Sequence, residues 1–182
     1  MSLFITLEGP EGSGKTTQSQ LLVEKLRRMD IDVLHTREPG GTLIGDQIRG
    51  ILMRLENTSM NPRTEILLFS ASRAQLVNEV IRPRLAEGGT VVCDRFYHST
   101  LAYQGYGHGL DLEALSKINE FATGGPKPDL ILLLDLPVDD GLQRRRSGGE
   151  WNRLDAYDFD FHRRVRQGYL AMAGGEPERW AV

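Results

Sequence analysis

Three short, almost unbroken hydrophobic runs punctuate the chain, at residues 3–7, 90–93 and 130–134. None shows the polar alternation of a strand with one wet face. Runs of this kind suit strands buried on both faces of a parallel sheet. Each run ends close to an acid, in turn Glu8, Asp94 and Asp135. A weaker run of similar character covers residues 31–36. Between the runs the period changes. Residues 15–29 and 42–54 place Leu21, Leu22, Leu26 and then Ile44, Ile48, Ile51, Leu52 at helical spacing, and 112–121 and 159–172 predict further helices. Residues 64–85 are apolar on more than one side, which predicts a helix buried on two faces or covered by a second subunit. Strands alternating with helices predict an α/β fold with a doubly wound parallel β-sheet. Ligands in such folds bind beyond the carboxyl ends of the strands, where the three acids fall.

Glycine-rich segments at 147–150 and 174–177 predict a mobile loop and a turn. Residues 179–182 read as the start of another strand, so a final strand and helix are expected to be missing. A length of 182 residues fits one domain. The net charge of −3 gives no general attraction to nucleic acid or anionic membrane. No apolar stretch approaches the ~20 residues of a membrane helix, and no basic n-region precedes the first strand. The single cysteine, Cys93, allows no internal disulfide. These features predict a cytoplasmic protein.

The chemistry begins at Gly9-Pro10-Glu11-Gly12-Ser13-Gly14-Lys15-Thr16, followed by Thr17. It fits G-x-x-x-x-G-K-[ST] between a strand and a helix, the context in which backbone N–H groups cradle phosphates. Lys15 is then expected to reach the outer phosphates of ATP, and the Thr16 hydroxyl to ligate Mg²⁺. The guanine-reading N-K-x-D string is absent, which argues against a GTPase switch. Asp94, at the end of the second apolar run, is a second candidate for Mg²⁺ or its waters. The neighbouring Arg95 can hold another phosphate. The four histidines share no metal-ligand spacing.

The chain resembles the bacterial thymidylate kinases, a family of P-loop nucleoside monophosphate kinases. Besides the P-loop, the resemblance rests on Thr36-Arg37-Glu38-Pro39-Gly40-Gly41-Thr42, on Leu68-Phe69-Ser70-Ala71-Ser72-Arg73-Ala74-Gln75 and on Asp94-Arg95-Phe96. Ser99-Thr100-Leu101-Ala102-Tyr103-Gln104-Gly105 and Asn152-Arg153-Leu154-Asp155 complete it. It implies a P-loop NTPase fold in one kinase domain over 1–182, with a lid at about 144–154. It implies transfer of the γ-phosphate of ATP to dTMP by a Mg²⁺-dependent homodimer. It further implies that Phe69 stacks on thymine, that Arg73 donates to its O4, and that Ser99 and Gln104 complete the base contacts. Tyr103 would lie against the sugar. Arg95 would hold the dTMP phosphate with help from Arg49 and Arg37. Glu11 would face the sugar and the metal's water, supported by Glu38. The P-loop's variable positions carry no base, so a lid arginine is expected to act in catalysis: Arg146 first, Arg153 second. Gly148 stands where relatives often carry another arginine, which leaves that choice open. A deoxynucleoside kinase and a non-catalytic nucleotide switch are the rival readings.

Overall fold

The computed structural model describes residues 2–148 and 151–182. Five parallel strands form one sheet: β1 (Leu3–Glu8), β2 (Val33–Arg37), β3 (Thr90–Asp94), β4 (Leu130–Leu133) and β5 (Trp180–Ala181). Their order is β2-β3-β1-β4-β5. The three apolar runs therefore lie side by side at the centre, with β1 paired to β3 on one side and β4 on the other. One face packs Phe4, Val91 and Cys93 against Leu76, Val77 and Ile81, and the other packs Ile5, Leu7 and Val92 against Val23. Burial on both faces is why these strands carry no polar alternation.

The helices are α1 (Lys15–Arg28), α2 (Leu43–Met53), α3 (Pro62–Leu76), α4 (Arg82–Ala86), α5 (Tyr97–Thr100), α6 (Leu112–Thr123), α7 (Val138–Ser147) and α8 (Phe159–Gly175). The helix expected at 64–85 starts earlier, because Asn61 caps it by accepting from the Arg63 N–H and Pro62 fits the first turn. It then runs through a π-helical stretch, Val77–Ile81, into α4. Pro83 lacks an N–H, and the register widens just ahead of it. A second π-helical stretch, Leu101–Gly107, continues α5 and packs against α8. The hydrophobic pattern assigns no element there. Of the loop expected at 147–150, Ser147 closes α7 and Gly148 caps it, while 149 and 150 lie outside the described residues. The strand expected at the end of the chain is β5, parallel to β4. Among the described residues no helix is long and apolar enough to cross a membrane.

Candidate active site

At the carboxyl edge of the central strands a cleft of about 570 Å³ runs from the P-loop to α3. Glu11, Lys15, Thr16 and Thr17 line one end, Phe69, Arg73 and Gln104 the other, with Arg95 and Tyr103 also in the wall.

Gly14 precedes α1 in a left-handed conformation (φ 88°), and no side chain caps the helix. The first N–H groups of α1 are thus left for an anion, which is what a phosphate nest requires. Lys15 is buried, and its ammonium rests on Pro10 O (2.6 Å) and Ser13 Oγ (3.1 Å). Burial and the nearby Arg95 bring its pKa down to about 7, although Glu11, Asp94 and Glu8 pull upwards. Thr16 Oγ1 donates to Asp94 Oδ2 at 2.5 Å, which joins the P-loop to the end of β3.

Arg95 adopts a positive φ of 69°, rare for a residue with a side chain and typical of functional positions. Its guanidinium donates to Gly9 O, Ser99 Oγ, Tyr169 OH, Glu11 Oε1 and Tyr103 OH, at 2.9 to 3.3 Å. Tyr103 OH also donates to Glu11 Oε1 (2.7 Å). Burial raises the Glu11 pKa, but Arg95 and Lys15 outweigh it and hold the carboxyl at about 2. Beneath this pair lies the fully buried Glu8. It accepts from the Phe96 N–H, Ser99 Oγ and Tyr169 OH, while burial pushes its pKa up.

At the other end Phe69 and Arg73 share a face of α3, four residues apart, and both line the cleft. Arg73 is almost fully buried. Its Nε and one terminal nitrogen reach Glu38 Oε2 (2.8 and 2.6 Å), and the other terminal nitrogen donates to Asn119 Oδ1 (2.8 Å). A guanidinium has five N–H groups. Two therefore remain for a ligand. Burial raises the Glu38 pKa to about 7 against the pull of Arg73. Arg49 donates to Pro39 O, and Arg37 stands near Asp46 at the rim.

The structure gathers Glu11, Gly12, Gly14, Lys15, Thr16, Thr17, Glu38, Arg49, Phe69, Arg73, Asp94, Arg95, Ser99, Tyr103 and Gln104 around one cleft. Gly9, Pro10 and Ser13 act at its floor through the contacts above. Two expected residues lie elsewhere. Arg146 is exposed and stacks over Trp151 at 5.4 Å. Arg153 is buried away from the cleft, 2.6 Å from Glu65 Oε2, and donates to Leu52 O and Tyr157 OH. Three consecutive helical arginines point about 100° apart, and it is Arg144 and Arg145 that line the cleft. Arg145 is gripped by Asp155 through two parallel bonds of 3.0 and 2.8 Å. The third strand-end acid, Asp135, also differs from expectation, since it forms an ion pair with Arg166 and does not line the cleft. Tyr169, Asn119 and Glu65 escaped sequence reasoning. Each sits in an ordinary helical or loop pattern, and its partner lies far away in the chain.

The thymidylate kinase family model matches residues 7–182. The chain is 54% identical over 195 residues to a thymidylate kinase of Roseiflexus castenholzii, covering all of this chain and 85% of that one. It is 50% identical over 188 residues to a thymidylate kinase of Geobacter sulfurreducens, with 100% and 88% covered. A crystal structure of thymidylate kinase from Ehrlichia chaffeensis superimposes with a TM-score of 0.84 at 36% identity, covering 100% of this chain and 91% of that one.

Proposed function

Since the chain belongs to the thymidylate kinase family, we propose that it moves the γ-phosphate of ATP to dTMP through the following division of labour among its side chains. The observation that carries this reading is the single cleft with a phosphate nest at one end and Phe69 with Arg73 at the other. ATP phosphates enter the nest before α1, and Lys15 exchanges Pro10 O and Ser13 Oγ for phosphate oxygens. Arg95 takes the dTMP phosphate. Its many acceptors fix the fork before substrate arrives, so little orientation is left to lose on binding. Phe69 stacks on the base, and the two spare N–H groups of Arg73 meet O4. Tyr103, bound to Glu11, closes the sugar side. The acceptor is a phosphate oxygen already ionised at neutral pH, so no general base is needed.

Thr16 and Asp94 suit Mg²⁺: they are two hard oxygen donors beside the nest, and Mg²⁺ commonly takes one or two protein oxygens with phosphate and water for the rest. Held there by Thr16 and Asp94, Mg²⁺ would supply positive charge to offset that of the phosphates. Arg144 and Arg145 are the lid-side cations at the cleft, and closure of their segment keeps water from competing with dTMP.

The reaction is assigned to the cytoplasm, in keeping with one buried cysteine. A second copy of the chain is assigned to the apolar surface of α2, α3 and α6. Leu43, Ile44, Ile51 and Leu67 are exposed there, and Phe121 is 91% exposed. Sedimentation that finds only monomer at micromolar concentration would remove this dimer.

The test is a coupled ADP-release assay with ATP, Mg²⁺ and a panel of dTMP, dCMP and thymidine. Turnover of dTMP is expected to dominate. Turnover of thymidine alone would make the chain a nucleoside kinase, and ATP binding without any turnover would make it a switch.

A further inference from the structure

Glu65 lies in the first turn of α3 and is fully buried, yet it does not line the cleft. Its Oε1 accepts from Gln104 Nε2 at 2.6 Å. Its Oε2 stands 2.6 Å from the Arg153 guanidinium and accepts from Tyr157 OH at 3.1 Å. Burial raises the Glu65 pKa, but His108, Arg153 and Gln104 bring it down to about 2, so the carboxyl is ionised. An ionised carboxylate accepts and never donates. Gln104 must therefore turn its NH₂ towards Glu65, which sends its carbonyl Oε1 the other way. That oxygen accepts no hydrogen bond among the described residues, and Gln104 lines the cleft beside Phe69 and Arg73. An amide oxygen there can meet a donor only. Thymine offers a donor at N3–H and an acceptor at O4, which suits Gln104 Oε1 and the spare N–H groups of Arg73. Cytosine offers the reverse, an acceptor at N3 and an amine at C4.

We propose that Glu65, without touching the nucleotide, is a positioning residue that sets base selectivity by locking the Gln104 amide with its oxygen facing the base. Arg153, at the end of the lid segment, and Tyr157, just beyond it, hold the carboxylate in turn. This deepens the reading of the cleft as a thymine site and rests on it. A change that lets residue 65 both donate and accept frees Gln104 to turn over, and cytosine then finds a donor for its N3.

The test compares kcat/KM for dTMP and dCMP in the full chain. Replacing Glu65 alone would strand the buried Arg153 charge, so the variant is Glu65→Gln with Arg153→Met, which removes both charges of the pair together. The dTMP over dCMP ratio is expected to fall about tenfold or more, with the KM for ATP within about twofold, because the loss is a mispaired base edge. A purely structural role would slow both substrates alike, so an unchanged ratio in the folded double variant overturns the proposal. Gln104→Leu leaves the Glu65–Arg153 pair intact and is expected to lower the same ratio similarly. An unchanged ratio there overturns the proposal whether or not the double variant folds. A wild-type chain that phosphorylates neither nucleotide sinks the kinase reading itself, and this proposal with it.

Discussion

At the scale of single residues, the cleft is governed by how few ways its charged groups can turn. Arg95 is surrounded by acceptors from four parts of the chain. Of these, Tyr169 is the one that nothing local in the sequence announces. Its hydroxyl accepts from Arg95, lies 2.8 Å from Ser99 Oγ and donates to Glu8. Tyr169→Phe is therefore expected to lower kcat/KM for dTMP about tenfold, while ATP binding stays near its original strength. Stability should fall by about 1–3 kcal/mol, since buried Glu8 loses a donor. Steady-state kinetics and urea unfolding check both halves. The P-loop, Asp94 and Arg95 were legible in sequence because their chemistry is local, a spacing of a few residues at the end of an apolar run. Tyr169 and Asn119 were not, because helix α8 and helix α6 present them by tertiary packing alone. Arg146 and Arg153 are expected at the site because the resemblance, with no base in the P-loop's variable positions, calls for a lid arginine. Sequence cannot show which of several neighbouring arginines a helix turns inwards, nor that Arg153 answers a buried glutamate on another helix.

Among the elements, the contact that matters most joins the P-loop to α7. A Cβ on Gly12 (φ 71°) would lie 2.1 Å from Gly141 O, and one on Gly141 would lie 2.2 Å from Glu11 O. Backbone thus meets backbone, and the helix that carries Arg144 and Arg145 sits directly against the phosphate nest. Gly12→Ala is expected to cost about 1–3 kcal/mol in stability from the positive φ and the clash. ATP affinity should fall more steeply than dTMP affinity, as calorimetric titration of each ligand would show. An equal loss for both would mean the contact braces the whole domain. The hydrophobic pattern recovered the strands and most helices because each buries a continuous stripe. It missed α5 with its π-helical extension because residues 97–107 are rich in tyrosine, glycine and polar groups. Their burial comes from α8 and the cleft, so no amphipathic period marks them.

For the molecule as a whole, acid should be the weak side. His98 is buried against Trp180, and burial together with Arg179 and Arg73 lowers its pKa from 6.5 to about 3. Between those values the unfolded chain binds a proton that the folded one refuses, so stability falls as pH drops below 6.5. The slope is up to about 1.4 kcal/mol per pH unit. Glu11, held at about 2 against an ordinary 4.5, adds a further loss below pH 4.5. Glu38 opposes them: its folded pKa of about 7 favours the folded state at lower pH, and that contribution is lost as pH rises through 7. Urea unfolding of His98→Phe at pH 7.5 and 5.0 should show an acid loss about 2 kcal/mol smaller than that of the unaltered chain. An identical loss would assign the acid sensitivity to the carboxylates alone.

The lysine of the phosphate nest, with a pKa of about 7, has a thermodynamic consequence. Near neutrality a fraction of molecules carries an uncharged amine on Pro10 O and Ser13 Oγ. A polyphosphate arriving there stabilises the ammonium, so nucleotide capture draws hydrogen ions from solution. At pH 7 the heat of ATP association should then differ between buffers of high and low ionisation enthalpy, and the difference should vanish when Lys15 is replaced by methionine.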